Sequence, residues 1–233
     1  MSNSSLANAT REEEIAFLAM ERILGVNIEL ADAGAGAKMP DGRWKPIPSE
    51  DQHCVVEVTS PPASQLMRER AQAKMAGSSH VETGSYAPRL NEISQVCAEM
   101  LATEWATENF DKLLAQPARE RHLFLFARRH SDESYFRRLS GDREGTPDED
   151  LQPIHLPHGI SDVWFRGQAT RVGGIQGRWL VKVARYQAAS GWHSYTVTLQ
   201  EQELPAPAGG IADDQVEPCW RRPKDRGPLP DTE

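Results

Sequence analysis

Two acidic residues carry the clearest prospect of chemistry in this chain. Asp41 closes the run Met39-Pro40-Asp41, and Glu57 lies sixteen positions later in the β-branched run Val55-Val56-Glu57-Val58-Thr59. Side chains alternate across a strand, so His53, Val55, Glu57 and Thr59 share one face and Cys54, Val56 and Val58 the other. A carboxylate inside such an apolar strand is costly to bury unless a cation, a metal ion or hydrogen-bond donors meet it. If the partner is a metal ion, Asp41 is the obvious co-ligand. Other spacings are weaker. His53 shares the Glu57 face and is a candidate general base, and His155 and His158 form an HxxH in a loop rather than on a helix. Gly34 and Gly36 lack the continuation of a phosphate-binding loop, and the serines lack a nucleophile elbow.

The elements that must position these residues can be read in order. Thr10 and Glu13 form a capping box, predicting a helix over 11–24 with Ile15, Leu18, Ala19 and Ile23 on its apolar stripe and Gly25 as its stop. Residues 26–30 read as a strand, 32–37 as a Gly-rich turn, Asp41-Gly42 as a turn dipeptide and 44–47 as a short strand broken by Pro46. Residues 54–59 make the best strand, and Ser60-Pro61 opens a helix over 61–75. A short strand is expected around 80–83. A single long helix follows from Pro88 to about Leu114, with a stripe of Leu90, Ile93, Cys97, Leu101 and Trp105. Strands at 122–127, 163–165, 179–184 and 194–199, a helix at 133–139 and an acidic loop at 140–152 complete the pattern. The sum is an α/β (α+β) fold with a mixed central sheet flanked by helices.

The order helix, strand, turn with Pro-Asp, strand with Glu, helix resembles the core of the PD-(D/E)xK, restriction-endonuclease-like nuclease superfamily over residues 10–75. Pro40-Asp41 matches its Pro-Asp element and Glu57 its second acid; Thr59 stands where that family carries lysine. The resemblance implies Mg²⁺-dependent phosphodiester hydrolysis. Asp41 and Glu57 would be metal ligands, Glu14 (or Glu21) of the first helix a third, and Thr59 would orient water or phosphate. Lys38, Lys45, Gln65 and Arg68 are the candidates to replace the missing lysine. The whole chain also resembles uncharacterised actinobacterial proteins. These share the Met-Pro-Asp turn, Glu57-Val58-Thr59, His122-Leu123-Phe124, and the segment from Leu156-Pro157-His158-Gly159 through Val163-Trp164. The alternative expectation is a catalytically inactive version of the fold, acting as a protein or nucleic-acid interaction module; a third is an accessory protein whose charged tail binds a partner.

Composition bounds these readings. The 233 residues, 39% hydrophobic, suit one domain over 10–202, with a polar N-terminus at 1–9 and a Pro-rich charged tail at 203–233 expected to be disordered. No apolar run is long enough for a membrane span, and no secretion signal is seen, so a cytoplasmic location is expected. Cys54, Cys97 and Cys219 are too scattered for a disulfide framework or a zinc knuckle. The net charge of −8 does not mark a general nucleic-acid binder. Locally, Arg166, Arg171, Arg178, Lys182 and Arg185 face only Asp162 across 160–190, and a basic surface for a nucleic-acid backbone is expected there. Trp164, Trp179 and Trp192, interleaved with these cations, are candidates for stacking on bases, although tryptophan in strands is usually packing.

Overall fold

The computed structural model describes residues 9–31, 39–46, 52–78, 89, 92–141, 151–167, 170–171 and 177–204. The expected Gly-rich turn, the strand around 80–83, most of the acidic loop, most of the tail, Lys38, Leu90 and Cys219 lie outside them.

Helix α1 (Arg11–Leu24) begins at the expected capping box: the Thr10 hydroxyl accepts from Glu13 N–H, and the Glu13 carboxylate accepts from Thr10 N–H at 2.6 Å. It ends at Gly25, whose φ of 68° is the left-handed cap that glycine adopts without steric cost. Three antiparallel strands follow, β1 (Glu29–Leu30), β2 (Gly42–Trp44) and β3 (Cys54–Thr59), then α2 (Ser64–Met75), α3 (Ile93–Leu101) and α4 (Glu104–Leu114). β4 (Arg121–Phe126) runs parallel to β3, and after α5 (His130–Leu139) β5 (Asp162–Arg166) runs parallel to β4. β6 (Thr170–Arg171), β7 (Arg178–Gln187) and β8 (Gly191–Gln200) complete a mixed sheet of order β1-β2-β3-β4-β5-β7-β6, with β8 along the other edge of β7. Helices cover both faces, so the α/β class expected from the pattern holds.

Alternation along β3 divides the core as expected. Cys54, Val56 and Val58 join α1 residues such as Phe17 and Met20, whereas Val55 joins residues of α3, α4 and α5 such as Cys97, Phe110 and Phe136. The predicted 88–114 helix is instead two helices. Thr103 breaks it: its hydroxyl leaves the helical register to accept the Ala106 N–H and start α4. Packing also reaches further than the polar composition of the ends suggests. Ala9 is buried, Leu204 sits in the core, and Arg22 clamps both Glu203 oxygens at 2.7 and 2.9 Å.

Asp41-Gly42 is not the turn it resembles in sequence. Gly42 is the first residue of β2, and a Cβ there would lie 2.7 Å from Phe17, 2.8 Å from Ile28 and 3.0 Å from Val56. The glycine is what lets α1 press against the strand that carries Asp41. Overpacking of this kind typically costs about 1–3 kcal/mol. Gly42→Ala is therefore expected to lower stability by about 2 kcal/mol in urea denaturation, with the m-value unchanged.

Candidate functional site

The antiparallel register pairs Gly42 with Val56, Arg43 with Val55 and Trp44 with Cys54. One step further along that register places Asp41 opposite Glu57, and opposed residues share a sheet face. Asp41 is fixed there at both ends: its carbonyl accepts from Ala31 N–H at 2.8 Å, and its Oδ2 accepts from Val58 N–H at 2.7 Å. The side chain thus extends the β2–β3 ladder just past the start of β2.

Glu57 is 7% exposed and meets a cation that local sequence could not nominate. Lys112 of α4 places Nζ 2.8 Å from Glu57 Oε1 and 2.7 Å from Oε2. A single ammonium therefore spans a carboxylate that has a second carboxylate beside it. The consequence appears on Asp41, whose pKa is raised to about 7. Burial is the largest cause, the Glu57 charge the next, and the Val58 hydrogen bond and Lys112 offset them only in part. The pair is short of positive charge.

The remaining expected site residues are placed as follows. Thr59 ends β3 and lines a cleft of about 520 Å³ with Ser60, Phe126, Arg128 and the first residues of α1. Glu14 is buried on α1, whose packing is against the opposite sheet face from Glu57, and it does not form a cluster with Asp41 and Glu57 within 4.8 Å. Glu21 braces the backbone, accepting from Ile28 N–H at 2.7 Å. Lys45 and His53 line a separate cleft with Trp44, four residues from Asp41 and Glu57 respectively, roughly 13 Å of extended chain. Gln65 donates to Glu69, and Arg68 is exposed on α2.

The expected basic surface is not assembled as one face. Arg166 is buried, bound to Glu12 and lying over Phe126. Arg185 is buried, donating to Asp162 at 2.7 Å and stacking on Trp164 at 4.6 Å. Lys182 donates to the Gly141 carbonyl at 3.1 Å. Arg178 is exposed at the start of β7, and the backbone of Arg171 lies in β6. Alternation along β7 sets Arg185 on the other face from Arg178 and Lys182. Trp164 is fully buried, and Trp179 donates to Glu201.

A second constellation joins residues that local sequence does not link. Glu120, His122 and Asp162 bring ligand atoms within 4.8 Å of one another and could hold a metal ion; it is the one such triplet among the described residues. His122 Nε2 lies 3.2 Å from Glu120 and 3.4 Å from Asp162, while its Nδ1 accepts from the Trp164 indole at 3.1 Å. An indole N–H only donates, so this bond leaves the proton of the neutral ring on Nε2, pointing at the two acids. The hydrogen bond from His122 also holds the Glu120 carboxyl below its ordinary pKa. These contacts tie β4, β5 and, through Arg185, β7.

Comparison of the chain with protein families, with curated proteins and with solved structures finds no match.

Proposed function

We propose that the chain is a Mg²⁺-dependent phosphodiester hydrolase, a nuclease, built on a restriction-endonuclease-like core. The observation that carries this reading is the Asp41–Glu57–Lys112 arrangement: two carboxylates on opposed positions of neighbouring strands, with one ammonium on the second of them. The element order α1-β1-β2-β3-α2 supports it, because the PD-(D/E)xK resemblance rests on a helix, a strand, a turn with Pro-Asp, a strand with Glu and a helix in that order. Lys112 answers the main departure from that resemblance, since it brings to the Glu57 carboxylate the charge that Thr59 lacks.

The donor set fits a hard divalent cation. Both ligands are carboxylates; burial first and their mutual repulsion second raise the pKa of Asp41, and a positive charge between them would relieve the repulsion. When bound there, Mg²⁺ supplies Lewis acidity toward a phosphate oxygen and a more acidic water. Asp41 and Glu57 hold the cation. Lys112 steadies Glu57 and neutralises charge that accumulates beside it, and the Thr59 hydroxyl, two residues along the same strand, orients water or a phosphate oxygen.

One observation favours the inactive-module reading instead, namely that Lys112 already engages both Glu57 oxygens. Incubation of plasmid and of oligonucleotides with Mg²⁺ or Mn²⁺ separates the two. The nuclease reading expects cleavage by the native chain and its loss in Asp41→Ala and Glu57→Ala. Equal activity in all three discards the mechanism, and binding without cleavage supports the module.

Lys112 gives a graded test of the same site. Lys112→Met is expected to reduce cleavage by about 10²-fold, the scale of losing one electrostatic donor. Lys112→Arg, which keeps the charge in a different shape, is expected to retain part of the rate in the same oligonucleotide assay.

A further inference from the structure

At the end of β3 the sheet opens into the cleft that Thr59 lines. Its floor is the carboxyl-terminal end of β3 and β4, where Val58 holds Asp41 through its N–H, and its wall is the first turn of α1. In open α/β sheets the carboxyl ends of parallel strands are where ligands collect. Arg128 lines this cleft with Arg129 exposed next in the chain, while Arg11, also in the lining, is paired with Glu201 at 3.3 Å. The wall also carries two acids: Glu12 holds Arg166, and Glu13 accepts from Thr10 N–H while its charge still acts on Asp41.

Helix α2 departs from this rim with little reason to be bare. A surface helix ordinarily buries an apolar stripe. Of the α2 side chains described, only Leu66 is buried, and Met67 and Met75 are 42% and 89% exposed. Its sequence SQLMRERAQAKM carries three basic residues against Glu69, which accepts from Gln65 at 3.0 Å. Arg68 and Arg70 lie on this helix, and Arg70 Nη2 reaches the Arg128 carbonyl at 3.4 Å, joining the helix to the cleft rim.

We infer that α2 and the β4–α5 loop form the track for a nucleic-acid backbone, with Arg70 and Arg128 as its principal phosphate contacts leading into the cleft lined by Thr59 and by Val58, whose N–H holds Asp41. The occupant follows from charge: on a chain of net −8, an exposed helix with three basic residues against one acid, joined at its rim to Arg128 and Arg129, is complementary to a polyanion. Phosphate contacts position a strand without reading bases, so the track is sequence-tolerant. The inference rests on the hydrolase reading for the identity of the polymer, and its test is separate from catalysis.

The test is fluorescence anisotropy of labelled single-stranded DNA, duplex DNA and RNA oligonucleotides with the full chain in EDTA, across a salt series. The native chain is expected to bind at least one polymer, with log affinity falling linearly against log salt. Arg70→Ala with Arg128→Ala is expected to weaken that binding by about tenfold or more and to flatten the slope by about 2, one for each phosphate no longer engaged. Arg178→Ala with Lys182→Ala is expected to bind as the native chain does, and circular dichroism checks that both variants fold. Native-like binding by the Arg70/Arg128 variant overturns the inference, as does an equal loss in the Arg178/Lys182 variant or no binding to any of the three polymers. Cleavage that persists without dependence on Arg70 and Arg128 would sink the track and leave the hydrolase. Arginine-dependent binding with no cleavage under Mg²⁺ would do the reverse.

Discussion

If the chain is the hydrolase proposed, Asp41→Asn is expected to abolish metal-dependent cleavage, by about 10³-fold or more, and at the same time to make the protein more stable at about pH 8. The two effects share one cause. Asparagine keeps the shape of the side chain and an oxygen for the Val58 N–H, but it removes the charge that burial and Glu57 disfavour. The native pKa is raised to about 7 from an ordinary carboxylate value near 4. Below about pH 4 both folded and unfolded states hold the proton, and Asp41 has no effect on the pH dependence of stability. Between about pH 4 and 7 the unfolded chain has lost a proton that the folded chain retains, so stability falls as pH rises. Above about 7 the full penalty is present, on the order of a few kcal/mol given about 1.4 kcal/mol per pKa unit and partial solvent access. Urea denaturation at about pH 4.5 and about pH 8 checks this: the variant should gain over the native chain mainly at the higher pH. Loss of cleavage without that gain would mean that Asp41 is not held as a strained acid. Both outcomes together would show the pattern of a functional site, a residue that destabilises its own fold and is required for activity.

How far the sequence led can be judged from individual residues. α1 was readable because its signals are local: the capping box spans Thr10 to Glu13 and Gly25 follows the last helical residue directly. β3 was readable because period-two patterning states both the element and its two faces. Asp41 and Glu57 could be nominated as a pair, but their opposition depends on the β2–β3 register, and Asp41-Gly42 carried a turn signature that the contacts of Gly42 with Phe17 and Ile28 override. Lys112 was not legible. It sits near the end of an amphipathic helix, where a lysine is expected for the helix dipole, and only the packing of α4 on β3 brings it to a residue 55 positions away. The arginines of 166–185 fail as a surface for a related reason. Cations spread along a row of strands look exposed in sequence, yet the partners Glu12 and Asp162 come from other elements.

The same non-local pairing makes His122 costly to lose. It is fully buried, edge-on to Trp44 at 4.9 Å, and Trp164, Glu120 and Asp162 converge on its two ring nitrogens. His122→Ala removes the acceptor of the buried Trp164 N–H and opens a cavity between two tryptophans. An orphaned buried donor costs about 1–3 kcal/mol and cavity formation adds to it, so a loss of roughly 4 kcal/mol is expected in denaturant unfolding. His122→Asn should cost less, because its amide oxygen can still accept from the indole. Trp164→Phe tests the proton placement from the other side. Without the indole donor, Nδ1 is free to carry the proton and Nε2 can present a lone pair toward Glu120 and Asp162. That variant is expected to gain a Zn²⁺-dependent rise in melting temperature that the native chain lacks. A native chain that already shows the rise would place the ring proton on the other nitrogen and make the triplet a metal site as it stands.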